Sequence, residues 1–371
     1  MSFFARLRRR WFGSVGDLAS SSDRSKAMIW QPTHLRDISG FVVPPDLRVF
    51  VPSELLPHRW ANEFVQGPVR IFNPGLTRDR DGWIFAYRVV GPDMIRRIGV
   101  CRLDEQLKVV GGSPAPLSDQ IEFDGGSDVS DRVRTWFADP RLIWLQGRLF
   151  CYWNSGWHEP QNEQFLVELN TSSLRPAGRA RKLVLEGERR PLEKNWSFFQ
   201  TGSDCFASYA VAPHRVLSFS LEGSGNILFS DAYCSEWDAS KFQDKFGELR
   251  GGAPPYLDRG HYHSFVHCLR GQAPGIIYSA AVFWFGMHPP FTPTGVPARL
   301  LELPNPFGAK RVSENLNPAV EQVEYPCGAI LKDNNWFLSF GVNDEHAAIA
   351  VIPPARMEWV MSRQSEGSVS K

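Results

Sequence analysis

The chain has 371 residues, a formal charge of only +1 and 13% aromatic side chains. Balanced charge argues against a polyanion such as nucleic acid as the main partner, and the lack of a long apolar run argues against a membrane-spanning helix. With 31 Gly and 28 Pro, the composition suits many short strands joined by tight turns.

The first residues form a distinct segment. Phe3, Phe4, Leu7, Trp11 and Phe12 alternate with Arg6, Arg8, Arg9 and Arg10, so a helix over 3–12 has one apolar and one basic side. That pattern suits peripheral contact with an anionic membrane surface. Residues 16–26 are rich in Ser and Asp and read as a linker. Residues 1–30 are therefore set apart from a body over 31–358, with a polar tail over 359–371. No apolar leader is visible, and the six cysteines are scattered without a Cys-x-x-Cys pair. Reduced thiols, a cytoplasmic location reaching at most the inner membrane face, and no structural metal are expected.

The body reads as β throughout. Residues 83–90 are β-branched and aromatic, and 98–103 follow after a polar turn. Residues 142–145, the Gln146-Gly147 turn and 149–153 predict a hairpin, with 165–169 as the next strand. A short helix is predicted over 239–247. The scheme recurs at 336–340 and 347–352. Alternation supports sheets but does not separate a propeller from a sandwich.

One phrase repeats five times: a polar knot, often with Pro, then aromatic strands. The copies open at Asn73-Pro74-Gly75, Asp139-Pro140-Arg141, Lys194-Asn195-Trp196, Pro254-Pro255-Tyr256 and Tyr325-Pro326-Cys327-Gly328. They are roughly 55–70 residues apart, longer than the ~40–50 of familiar propeller repeats. Five β units predict an all-β, five-bladed propeller whose polar knots converge at the axis. Within the fourth unit His261, His263, Phe265 and His267 share one strand face. Without a local carboxylate, hydrogen bonding to substrate suits these imidazoles better than a metal.

The ordered set Asn73-Pro74, Tyr87-Arg88, Asp139-Pro140-Arg141, residues 251–255 (Gly-Gly-Ala-Pro-Pro), Phe265-Val266-His267, Tyr325-Pro326-Cys327-Gly328 and Gly341-Val342-Asn343-Asp344 resembles glycoside hydrolase family 130. The resemblance runs from about residue 70 to 350. It implies a five-bladed propeller acting on β-mannosides with inversion, as a phosphorylase or hydrolase, on an oligosaccharide or glycan. It implies no organic cofactor; inorganic phosphate, a sugar phosphate or a nucleotide sugar is the expected co-substrate. Asp139 corresponds to the family's general acid, which acts through a substrate hydroxyl. Arg88 and His267 correspond to phosphate-binding positions, and Arg250 lies near a third. Substrate contacts are expected from Asn73, Arg88, Arg141, Asn154, Lys194, Asn195, His263, Tyr325 and Asp344.

The basic set only partly matches the family, with Arg250 out of register and His214-Arg215 in a divergent segment. Hydrolysis therefore stays open beside phosphorolysis. So do a glycosyltransferase building a mannose-containing surface glycan, which the basic N-terminus suits, and a glycan-binding propeller without turnover. In an inverting hydrolase a second carboxylate activates water. Asp344, Glu324 and Glu193 are the candidates.

Overall fold

Runs of apolar, β-branched and aromatic residues fold here into a chain of antiparallel meanders, seen in a computed structural model that describes residues 46–64, 67–125, 129–156, 162–187, 189, 193–311 and 314–363. The basic segment over 3–12, the linker over 16–26 and the end of the polar tail lie outside the described residues. Among the described residues no helix is long and apolar enough to cross a membrane.

Strand β1 (Leu47–Phe50) precedes the first meander, β2 (Arg70–Asp79), β3 (Gly82–Val90) and β4 (Arg96–Leu103). The second is β5 (Ala138–Leu145), β6 (Arg148–Asn154), β7 (Gln164–Leu169) and β8 (Arg181–Leu185). The third is β9 (Ser197–Thr201), β10 (Asp204–Ala210), β11 (His214–Phe219) and β12 (Ile227–Ser235). In the fourth, β13 (Glu248–Arg250) and β14 (Tyr256–Asp258) both pair with β15 (His261–Arg270), followed by β16 (Ile276–Gly286) and β17 (Pro293–Pro297). The fifth is β18 (Val320–Lys332), β19 (Asn335–Val342) and β20 (His346–Ile352). Its outer edge is covered by β1, with Leu47 opposite Ala350. The described chain thus closes its last meander with its first strand.

The predicted hairpin at Gln146-Gly147 forms, with both residues at positive φ (50° and 72°) as a tight two-residue turn requires. The predicted short helix spans Ser240–Phe246. Composition misplaced the tail. Met361–Arg363 form β21, paired with Pro297 to Gly295 of β17, because strand addition needs backbone groups and little from side chains.

Apolar faces are buried between consecutive meanders. Ile84 and Ala86 pack with Leu142, Trp153 and Phe165; Phe150 and Tyr152 pack with Trp196 and Phe198. Phe199 and Phe206 meet Val266 and Phe283, Phe265 and Ala280 meet Trp336 and Phe340, and Ala347 and Ile349 return to Trp83 and Phe85 of the first meander. The packing is cyclic, so each meander is covered on both faces. Most of the aromatic content is used in these five layers.

Three of the five polar knots are β-bulges. Register breaks between Phe72 and Gly75, between Ala138 and Arg141, and between Pro326 and Gly328. Asn73, Asp139 and Asn195 adopt φ of 49°, 55° and 67°. Short amide and carboxylate side chains tolerate this region best among residues with a Cβ, and a bulge re-aims the side chain it carries. Neighbouring first strands approach to backbone contact at these points. A Cβ on Gly75 would lie 2.9 Å from the Pro140 carbonyl, and one on Gly328 would strike the Leu76 amide and lie 2.9 Å from its carbonyl.

Gly328→Ala is therefore expected to lower stability by about 1–3 kcal/mol in chemical denaturation. Gly111→Ala, where nothing lies within 4 Å of the new Cβ, should stay within about 0.5 kcal/mol of the parent. Equal midpoints for the two variants would disprove the close approach.

Candidate active site

Each meander brings one charged side chain to a common cluster. Asp139 stands in the second, 7% exposed. Its Oδ1 accepts from Asn73 Nδ2 at 2.7 Å and from Arg88 Nη1 at 3.2 Å, both of the first meander. Lys194, ahead of β9, interacts electrostatically with Asp139, Arg250 of β13, Arg88 and Asp344 beyond β19. Asp344 has φ of 56°, and its carboxyl finds no hydrogen-bond donor among the described residues.

The environments of the two carboxyls differ. Burial pushes Asp139 upward, but Arg88, Lys194 and Arg141, with the Asn73 amide, outweigh it and hold Asp139 below the ordinary range. Burial pushes Asp344 upward and the Asp139 charge adds to the rise; Arg88, Arg311 and Lys194 only partly offset it. Two neighbouring carboxyls driven apart in this way are a hallmark of acid–base sites. Burial, followed by the nearby cations, pushes Lys194 down despite Asp139.

Beneath the cluster lies a sealed layer. Arg141 is 0% exposed. Its Nε donates to the Gly252 carbonyl at 2.8 Å, and its Nη1 to the Asp139 and Pro140 carbonyls at 3.2 Å each. The guanidinium lies 5.1 Å from the Tyr325 ring centroid, and the Tyr325 hydroxyl donates to Asn195 Oδ1. His267, also 0% exposed, packs on Tyr325 and Tyr278 at centroid distances of 4.7 and 5.4 Å.

Several expected ligand contacts are framework instead. Arg141 serves backbone carbonyls and does not reach the Asp139 carboxylate. Asn154, 1% exposed, donates to the Ala138 carbonyl at 3.2 Å and accepts from the Gly156 amide at 2.9 Å. Asn195 and Tyr325 are bonded to each other and buried. His267 is not the cation expected at a phosphate position. Burial, with Lys194, Arg250 and Arg141 around it, pushes it well below the ordinary imidazole range. His263 leaves the cluster altogether. Four residues along β15 separate it from His267 by about 13 Å, and its ring packs between Trp284 and Trp336 at 5.2 and 5.1 Å. Burial takes its pKa to about 4. Among the described residues no group of three or more His, Cys, Asp or Glu is arranged to hold a metal ion. His214 is buried between Ser208 and the Phe291 carbonyl, and Arg215 pairs with Asp231.

Asn73, Arg88, Asp139, Lys194 and Asp344 do come together, and Arg250 joins them while also pairing with Glu248 at 2.6 Å. Of the three carboxylates considered for activating water, only Asp344 faces the cluster. Glu193 is held by the Tyr209 hydroxyl at 2.7 Å and Arg189 Nε at 2.8 Å. Glu324 points to the other side of β18, where Gln322 donates to it at 2.9 Å. Sequence reasoning missed Arg311, whose field reaches Asp344 and which is anchored on the Val320 and Glu321 carbonyls at 3.0 and 3.1 Å. It lies in a connection with no motif to mark it.

Glu324 carries a pH signature of its own. Burial pushes its carboxyl from 4.5 to about 7, against hydrogen bonds from Gln322 and Asn305. A carboxyl raised by folding favours the folded state fully below its unfolded pKa, and that contribution is lost as pH rises through the folded value. Stability should therefore fall by up to about 3 kcal/mol between pH ~4.5 and ~7 from this group. Glu324→Gln should flatten that interval in denaturation curves; an unchanged slope would refute the assignment.

No protein-family model matches the chain, and no curated protein matches it in sequence. Solved structures do match. A Bacteroides thetaiotaomicron protein provisionally described as a glycosidase aligns at TM-score 0.54 and 14% identity, covering 85% of this chain and 95% of its own. A structure from work on GH130 glycoside hydrolases that target β-1,2 mannosidic linkages in Candida mannan aligns at 0.54 and 13%, covering 78% and 86%. The β-1,2-mannobiose phosphorylase of Listeria innocua aligns at 0.52 and 11%, covering 84% and 98%. The chain has a fold like that of glycoside hydrolase family 130 structures.

Proposed function

We propose that the five meanders are the blades of a five-bladed β-propeller and that the chain is a carbohydrate-active enzyme. It makes or breaks a β-mannoside-like bond with inversion, and phosphorolysis is the form its charges favour. The observation that carries this reading is the convergence of Arg88, Asp139, Lys194, Arg250 and Asp344, one from each meander, above a sealed layer. The likeness to mannoside-active folds supports it.

Asp139 is the proton donor to the bridging oxygen, directly or through a sugar hydroxyl, and the Asn73 amide fixes its orientation. Arg88, Lys194 and Arg250 outnumber the two carboxylates and suit an attacking phosphate. In phosphorolysis the C1–O bond to the leaving sugar breaks, a bond from C1 to a phosphate oxygen forms, and the Asp139 proton ends on the leaving oxygen. Asp344, with no hydrogen-bond donor among the described residues, accepts from sugar hydroxyls in this reading. Were the reaction hydrolytic, the same carboxyl would face the attacking water.

The test is turnover of β-1,2-mannobiose with and without phosphate, following mannose 1-phosphate and free mannose. Mannose 1-phosphate made only with phosphate is the expected result. Mannose released equally without it would replace phosphorolysis by hydrolysis, and no turnover of any β-mannoside would overturn the enzyme reading. Asp139→Asn should keep the thermal melt of the parent while lowering the rate by about 10²–10⁴. A parental rate would remove Asp139 from the acid role.

A further inference from the structure

Arg88 is the under-used cation of the cluster. A guanidinium has five donors. Arg141, with no exposed surface, places Nε and Nη1 on three carbonyls, and Arg102 holds Asp79 with two nitrogens at 2.8 and 3.1 Å. Arg88 makes one bond, from Nη1 to Asp139 at 3.2 Å, and its buried Nε has no acceptor among the described residues. Phe72 covers one face at 4.9 Å. The side chain is 14% exposed, so solvent serves its remaining donors poorly. Such a group is built to meet an anion, and the contact it now makes is long for a charge-assisted bond.

That contact puts Asp139 in the wrong state for donating a proton. Both bonds to Oδ1 come from groups that only donate, which favours the ionised carboxylate. The charged groups around Asp139 are Arg88 of β3, Arg141 of its own strand, Lys194 ahead of β9 and Asp344 beyond β19. The neutral titratable groups are Tyr152 of β6, Tyr278 of β16, and Tyr325 and Cys327 of β18. Burial raises all four of these, so none competes for a proton near neutrality.

We propose that Arg88 is a shared clamp: in the empty site it holds the Asp139 carboxylate, and an oxyanion bound to its free donors draws it off and lets Asp139 take up the proton the reaction needs. This rests on the phosphorolytic reading. The anion weakens the cation that held Asp139 ionised and adds negative charge beside it, and both effects raise the carboxyl's proton affinity. The proton comes from solvent. Binding of one reactant thus arms the acid for the other, and an enzyme without phosphate keeps its acid discharged.

Proton linkage tests this in the full-length protein. Inorganic sulfate is the probe, because it stays a dianion and any proton exchanged belongs to the protein. Calorimetric titrations at several pH values between about 4.5 and 6, in buffers of different ionisation enthalpy, should show proton uptake on sulfate binding. Asp139→Asn should still bind sulfate but lose the uptake. Asp344→Asn should retain it, which separates Asp139 from its neighbour. Arg88→Gln should weaken sulfate by at least about tenfold. Sulfate binding without uptake, or uptake that survives Asp139→Asn, overturns the clamp. Failure of both sulfate and phosphate to bind at millimolar concentration also overturns it, while turnover of a β-mannoside in water by the same preparation would leave the enzyme reading standing. Linked uptake in a protein that turns over no β-mannoside would uphold the clamp and sink that reading instead.

Discussion

A guanidinium sealed from water sets the terms for the centre of this protein. Burying Arg141 without compensation costs several kcal/mol even after relaxation. Compensation comes from the carbonyls of Asp139 and Pro140, from the Gly252 carbonyl of the fourth meander, and from the Tyr325 ring of the fifth. Nε and Nη1 of Arg141 and its ring contact are therefore all in place only when three meanders are in register. Tyr325 extends the tie to Asn195 of the third, and Ser339 of β19 donates to the Pro74 carbonyl of the first at 2.5 Å. A strand slipped by one residue would expose the wrong faces and strand a buried charge.

The bulges follow from the same constraint. Meanders packed in a cycle, hydrogen-bonded into three sheets, crowd their first strands together, and regular strands would direct only every second side chain inward. An extra residue at Asn73-Pro74, Asp139-Pro140 and Pro326-Cys327 bends each strand and frees a carbonyl or a short polar side chain for the centre. Gly75 and Gly328 give the clearance. Two sets of contacts are thus stacked at a single position: the Asp139 carbonyl receives Arg141, while its carboxylate receives Asn73 and Arg88.

Chemistry at the site is governed by which cations water can reach. Arg141 and His267 lie beneath the cluster with no exposed surface; one is committed to carbonyls and the other is driven to its neutral form. Arg88, Lys194 and Arg250 by contrast keep some exposed surface. Asp139 and Asp344 share that field, since Arg88 and Lys194 act on both, yet Asp139 is held low and Asp344 high.

Much of the fold was legible because its signals are local. β-branched, aromatic and other apolar runs marked β3, β4, β7, β19 and β20; the Gln146-Gly147 turn marked the β5–β6 hairpin; and Asn-Pro and Asp-Pro pairs marked the bulges. Each depends on backbone preferences a few residues long. The same knots located Asn73 and Asp139, since residues able to hold positive φ at a bulge are the ones it aims inward; Lys194 and Asp344 were marked by the motifs around them. What each side chain does was settled elsewhere. Arg141 finds its partner 111 residues away and Tyr325 130 residues away, and no local pattern encodes a contact across that separation. His263 and His267 look alike in sequence, yet 13 Å of strand, at about 3.3 Å per residue, takes one to a tryptophan pocket and the other beneath the cluster. Glu324 sits beside Tyr325 in the chain, but adjacent residues on a strand face opposite ways, so one step decided that the tyrosine reaches the centre and the carboxylate does not. Sequence alone determined where the chain bends and which polar groups are offered; the tertiary structure decided, through burial and long-range pairing, which remain charged and free to act.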